Sequence, residues 1–262
     1  MPHSDELTHA VPDAEPLGSR LMRVGFGAYA WLAFLIIVLV TLVLLLLVPG
    51  VERRRQIAGV AARLSLRVMF MPLVIRGLEH LPAGQCVVAA NHASYIDAVV
   101  IKAVLPERFA YVVKREAAST PFAGLLLKRL GTEFVERFNR HRGALDARRV
   151  MRSASSGQSL LFFPEGTFIT RPGLLKFHSG AFRSAVSARC PVVPCVIRGT
   201  RAVLASPRFF PRPGRIEVEL LEPVALPGEL DTEQAVRAMR DLTRARILER
   251  VGEPDLAPGA HG

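Results

Sequence analysis

The sequence predicts an α/β domain built on a mixed, mostly parallel central sheet flanked by helices, with a membrane helix and an amphipathic helix ahead of it. Three observations predict it. From residue 73 onward, short apolar runs alternate with stretches of helical spacing, the pattern of strands joined by crossover helices. Residues 24–51 contain no charged side chain, and more than roughly 20 such residues can cross a bilayer as a helix. Between these two textures, Ile57, Val60, Ala61, Leu64 and Val68 recur at helical spacing while Arg53, Gln56, Arg63 and Arg67 take other faces, which marks an amphipathic helix. The chain therefore divides into a polar N-terminal tail at 1–23, membrane-anchoring helices at 24–74, a globular domain at 75–252 and a flexible tail at 253–262.

The elements follow in order. Residues 1–19 are rich in Pro, Asp and Glu, a composition too polar to bury a core. The apolar segment is broken at Pro49-Gly50. It exceeds the roughly 7–15 apolar residues of a cleavable signal peptide, and Glu52-Arg53-Arg54-Arg55 stands where a small-residue cleavage site would be. Positive charge stays on the cytoplasmic side, so these arginines place the rest of the chain on the cytoplasmic face of the inner membrane; Arg20 and Arg23 reduce the asymmetry without reversing it. The amphipathic helix either packs on the globular domain or lies in the bilayer interface, and the two helices together could form a monotopic hairpin instead of a true span. Strands are expected at 73–76, 86–90, 109–113, 132–136, 159–163, 192–197 and 215–220, with helices at 97–104, 121–130, 140–155 and 181–188. Ile216, Val218 and Leu220 alternate with Glu217 and Glu219, as in a strand with one wet face. A last helix, 232–250, opens on a capping pattern, Asp231-Thr232-Glu233-Gln234, and stops at Gly252.

Charge and cysteine content narrow the function. A net charge of +11 favours polyanions in general, but the chain has no zinc-finger spacing, RNA-binding aromatic motif or basic region with heptads. Nucleic acid is not expected as a partner. Beside a membrane segment the arginines meet anionic membrane phospholipids, at roughly 1 kcal/mol per well-placed charge. Cys86, Cys190 and Cys195 show neither metal nor disulfide spacing, which fits a reducing cytoplasm, and no metal or cofactor is expected.

The chemistry is carried by two motifs. Asn91-His92-Ala93-Ser94-Tyr95-Ile96-Asp97 follows the apolar run 86–90, so His92 falls where a strand gives way to a turn and Asp97 where the next helix begins. Open α/β sheets place ligands just beyond strand ends. A carboxylate on one imidazole nitrogen fixes the tautomer and leaves the other as a base; the bland alternative is a surface histidine and a helix-capping aspartate. The second motif, Phe162-Phe163-Pro164-Glu165-Gly166-Thr167, ends another apolar run with a carboxylate and a glycine where backbone can approach a ligand closely.

These blocks stand in order with others. Lys114-Arg115-Glu116 and Gly131-Thr132-Glu133-Phe134-Val135-Glu136-Arg137 lie between them, and Val192-Val193-Pro194-Cys195-Val196 comes after. Together, over roughly residues 75–225, they resemble the glycerolipid acyltransferase family, whose best-known members acylate lysophosphatidic acid, that is 1-acylglycerol-3-phosphate. The resemblance implies that His92 is the general base and Asp97 its orienter. It also implies that Arg137, with Lys114 as a weaker candidate, holds an anionic group of the acceptor, and that Asn91, Gly131, Glu165, Gly166 and Thr167 line the substrate site. Acyl-CoA or acyl-carrier protein would be the donor and a lysophospholipid the acceptor. One departure stands out: the family commonly continues Glu-Gly-Thr with Arg, whereas this chain has Phe168. Arg171 could compensate, or the acceptor could be another lyso-lipid. A catalytically silent lipid-binding protein is the remaining alternative.

Overall fold

The computed structural model describes residues 17–257 apart from 137–139, 205–208 and 229. Helix α1 (Leu17–Leu47) and helix α2 (Val51–Val68) form an N-terminal hairpin. Helix α1 starts at Leu17, inside the stretch expected to be a polar tail, because Leu21 and Met22 extend its apolar run and arginine is a good helix former. At the reversal, Gly50 has φ +83°, a conformation that costs glycine nothing.

Seven strands form one sheet: β1 (Leu73–Arg76), β2 (Val87–Ala90), β3 (Phe109–Lys114), β4 (Glu133–Val135), β5 (Ser159–Phe162), β6 (Val192–Arg198) and β7 (Ile216–Leu220). Their order is β1-β7-β6-β2-β5-β3-β4. All neighbouring pairs are parallel except β6 and β7, so β1 and β7 run opposite to the other five. The sheet is therefore mixed and mostly parallel, as the alternation of strand and helix predicted. Helices α3 (Asp97–Val104), α4 (Ala123–Arg129), α5 (Arg140–Ser155), α6 (Gly180–Ala188), α7 (Thr200–Val203) and α8 (Thr232–Val251) complete the domain.

Both faces of the sheet are covered, which is why the central strand β2 is apolar at every position. Val88 and Ala90 of β2 join Leu66, Ile101 and Phe109 in a core on the α1–α3 side. Val87 and Ala89 join Phe182, Met239 and Ile247 beneath α6 and α8. Strand β7 keeps its wet face: Glu219 and Glu217 pair with Arg198 of β6 at 2.8 and 3.4 Å. Asp231 caps α8 by accepting the Gln234 N–H at 2.9 Å, and the Gln234 side chain accepts the Asp231 N–H at 3.3 Å.

Arginine-to-carbonyl bonds fasten the hairpin to the domain. Arg129 at the end of α4 donates to Leu45 O at 3.1 Å and Leu46 O at 2.8 Å, and Arg54 donates to Val48 O at 2.8 Å. Carbonyls at a helix C-terminus lack intrahelical partners, and a guanidinium supplies both donors and favourable charge. The buried Arg55 spreads over three carbonyls, Leu130 O at 2.9 Å, Glu107 O at 3.2 Å and Gly131 O at 3.2 Å. Further along α1, Trp31 donates to Phe209 O at 2.7 Å and Tyr29 to Val68 O at 3.2 Å. The described part of the expected flexible tail is also tied down. Leu174 N–H donates to Pro254 O at 2.9 Å and Leu256 N–H to Leu174 O at 3.0 Å, a two-bond pairing that sequence pattern does not announce.

Candidate active site

Strands β2 and β5 are neighbours and parallel, so the segments leaving their C-terminal ends emerge side by side. This topology brings His92 and Glu165, 73 residues apart, into one corner. His92 Nδ1 lies 2.8 Å from Asp97 Oδ2. The same oxygen accepts the backbone N–H groups of Ala93 at 2.7 Å and Ser94 at 2.8 Å. Two backbone N–H groups already make Oδ2 an acceptor, so Nδ1 meets it as the donor and Nε2 keeps a lone pair. The other oxygen, Asp97 Oδ1, is buried with no hydrogen-bond partner among the described residues. The turn closes by folding Ala93 and Ser94 back onto Asp97, the first residue of α3, where the helix N-terminus favours negative charge.

Aromatic rings frame the imidazole. Phe163 stacks on it with centroids 4.4 Å apart and planes at 24°. Phe168 meets it edge-on at 4.6 Å and 65°, and the exposed Tyr95 packs against Phe168 at 4.7 Å and 88°. His92 keeps 18% of its side-chain surface exposed, enough to meet a substrate. The motif singled out Phe168 as a departure; that its ring covers the histidine depends on a loop geometry the sequence does not display.

Glu165 does not face a ligand directly. It is 3% exposed, and both oxygens accept backbone N–H groups: Oε1 from His92 at 2.6 Å and Oε2 from Leu175 at 2.9 Å. Glu165 therefore ties Leu175 of the following loop to the backbone of His92. Burial raises its pKa to about 7, aided by the charges of Glu253 and Asp97 and opposed by those two N–H bonds. Gly166, at φ +75°, closes the turn by donating its N–H to Phe163 O at 2.9 Å.

Other expected site residues fare differently. Asn91 is buried against the backbone of β6, donating to Ile197 O at 3.0 Å and accepting Ile197 N–H at 2.7 Å, and so staples β2 to β6. Gly131 sits against α2, its carbonyl held by Arg55, and β4 is three strands from β2, about 14 Å by strand spacing. Lys114 is exposed at the C-terminal end of β3, and Arg171 and Thr167 are exposed on the loop after β5, so all three are reachable from solvent. Arg137 lies outside the described residues. Burial pushes the Cys86 and Cys195 thiols up to about 12 and Cys190 to about 11, which keeps them protonated and unreactive.

Two cavities flank this corner. One, of about 190 Å³, is an apolar space between α1, α2, α3 and β3, bounded by Phe34, Val38, Ala62, Val99 and Val113. The other, of about 310 Å³, opens at the ends of β3, β4 and β5 between Val113, Val135, Phe163 and Gly166.

His92 and Asp97 thus stand paired beyond the end of a parallel strand, inside the region that a family model matches. The family model described as Acyltransferase matches residues 72–198. A protein from Haemophilus influenzae named 1-acyl-sn-glycerol-3-phosphate acyltransferase is 30% identical over 202 residues, covering 73% of this chain and 82% of that protein. Mouse 1-acyl-sn-glycerol-3-phosphate acyltransferase alpha is 35% identical over 183 residues, and the matched region covers 66% of this chain but 61% of the mouse protein. In fold, the crystal structure of the 1-acyl-sn-glycerophosphate (LPA) acyltransferase PlsC from Thermotoga maritima is alike, with a TM-score of 0.73 and 21% identity over 88% of this chain and 96% of that one. The chain belongs to the acyltransferase family whose relatives carry the name 1-acyl-sn-glycerol-3-phosphate acyltransferase.

Proposed function

We propose that this protein is a membrane-bound O-acyltransferase that moves a fatty acyl chain from acyl-CoA or acyl-carrier protein to the free hydroxyl of 1-acylglycerol-3-phosphate, giving phosphatidic acid for phospholipid biosynthesis. The observation that carries it is the His92–Asp97 pair, with Nδ1 anchored at 2.8 Å and Nε2 left with a lone pair. His92 Nε2 takes the proton of the acceptor hydroxyl as that oxygen attacks the thioester carbonyl. The C–O bond forms, the C–S bond breaks, and the imidazolium returns its proton to the departing thiolate. Asp97 stabilises the transient imidazolium and fixes the tautomer. The apolar cavity suits a stretch of aliphatic chain, and the cleft beside Phe163 and Gly166 suits the acceptor.

The hairpin supports a seat at the membrane surface. Helix α1 is long enough and apolar enough to cross a bilayer, with 22% of its most apolar window buried against the protein. Yet domain groups grip it from Trp31 to Leu46, about 22 Å along its axis, so a perpendicular span through a roughly 30 Å core would drag the domain into hydrocarbon. A hairpin immersed in one leaflet, its outer residues such as Leu32, Leu35, Ile36 and Val43 exposed, keeps the site at headgroup level. The arginines beside it favour the cytoplasmic leaflet of the inner membrane.

The test is acyl transfer by purified protein in lipid vesicles. His92→Ala is expected to lose about 10²–10⁴ in rate, and near-normal turnover by that variant rejects the assignment. Phe168 on His92 favours a second acceptor reading, a lyso-lipid without phosphate beside its hydroxyl. An acceptor panel decides between them: use of another lyso-lipid while lysophosphatidic acid is ignored replaces the first reading with the second.

A further inference from the structure

The segment after α8 is bound to the loop that carries half of the site. Glu253 reaches Arg201 of α7 through two bonds, from Nε to Oε1 and from Nη2 to Oε2, each 2.9 Å. Arg201 in turn donates to Ile169 O at 2.6 Å and Thr170 O at 3.2 Å, the carbonyls just past Phe168. Glu253 Oε2 also accepts the Gly173 N–H at 2.7 Å. Gly173 has φ +142°, and a side chain there would collide with Leu256, so the loop and the C-terminal segment are built to lie against each other. Next to it, Arg244 of α8 donates to Leu174 O at 2.9 Å and Leu175 O at 3.0 Å and pairs with Asp255 at 3.0 Å. The Leu175 N–H then meets Glu165, whose other oxygen holds His92.

We propose that Glu253 is a positioning residue of the active site, which through Arg201 and Gly173 fixes the 165–175 loop so that Glu165 and Phe168 hold the His92 imidazole in place. The segment lies beyond residues 72–198, the part the family model matches, so this support is added from outside that region. Bidentate arginine–carboxylate pairing gives orientation as well as energy. Arg201 and Glu253 are only 15% and 20% exposed, which limits solvent screening of the pair. The charges that act on Glu165 are those of Glu253 from the C-terminal segment and Asp97 from the start of α3.

The role rests on the acyl-transfer reading for its activity assay but not for its spectroscopic one. In the full-length protein in vesicles, Glu253→Gln keeps an acceptor for Gly173 N–H and loses the charge. The expected result is a kcat reduced on the order of tenfold or more, as misplacement of a reacting group produces, with a melting profile that still shows one folded species. Because Glu253 helps to raise the Glu165 pKa, the acid limb of the rate–pH profile is expected to move to lower pH. Arg201→Gln and the double variant are expected to be non-additive, the double resembling the worse single. The His92 imidazole NMR signal, assigned by its loss in His92→Asn, is expected to shift in Glu253→Gln without any substrate. Unchanged kcat, pH profile and His92 signal overturn the proposal. So does a fall in activity that merely tracks the loss of folded protein with the profile unmoved. If the wild-type protein turns over no acceptor, the acyl-transfer reading fails, and the His92 signal alone decides the positioning role.

Discussion

Asp97→Asn tests the His92 pair in both activity and stability. An asparagine of the same shape can set its carbonyl oxygen where Oδ2 now accepts three donors, so the tautomer survives. Its NH₂ then falls at the Oδ1 position, which is buried and has no partner, at a cost of about 1–3 kcal/mol for an unsatisfied buried group. The catalytic loss comes from charge. An imidazolium and a carboxylate whose charge centres lie about 4 Å apart attract by about 4 kcal/mol at an effective dielectric of 20. That sets an upper limit on what His92 gains as it takes the proton. Since about 1.4 kcal/mol is tenfold in rate, the expected fall in kcat/KM is on the order of 10²–10³. Steady-state acyl transfer with purified wild-type and variant protein, beside thermal melts, reads both terms. A variant within about fivefold of wild type, or one as stable as wild type, refutes the role assigned to Asp97.

Three further outcomes follow from particular contacts. Glu165 has its pKa raised to about 7 from 4.5, so between those values the folded state binds more protons than the unfolded state and stability falls as pH rises. Melts from pH 5 to 8 should show Glu165→Gln gaining on wild type with rising pH, by roughly 3 kcal/mol at the upper end; a constant difference contradicts the burial argument. Asn91→Ala leaves the Ile197 N–H and C=O unpaired between β2 and β6 and should cost about 2–5 kcal/mol in denaturant unfolding, whereas a change in KM alone would return Asn91 to the substrate site. Arg55→Lys loses the fork that spans Leu130, Glu107 and Gly131 carbonyls. A loss of about 1–3 kcal/mol is expected, and melts indistinguishable from wild type would show that the three-carbonyl clasp does not matter.

Local pattern revealed more of the fold than of the site. Helices α3 and α5 fall at the residues their periodicity predicts, and all seven strands appear, because apolar spacing and caps act within a few residues. His92 and Asp97 were legible for the same reason: five residues of turn are a local problem. The contacts of Asn91, Glu165 and Gly131 were not, since each is made with a partner far along the chain, at Ile197, His92 and Arg55. Residue type showed that a carboxylate stands at 165; only the neighbouring strand shows that backbone N–H groups already use both of its oxygens. Glu253 gave no signal at all, because its partners Arg201 and Gly173 have no fixed spacing from it.

Strand β1 sets the order in which this molecule can be completed. It pairs with β7, Leu73 opposite Ile216, about 140 residues later in synthesis, a delay of roughly 7–28 s at common elongation rates. The apolar hairpin leaves the ribosome long before that partner exists. The sheet therefore gains its β1 edge only after the whole N-terminal hairpin and the five mutually parallel strands have been made.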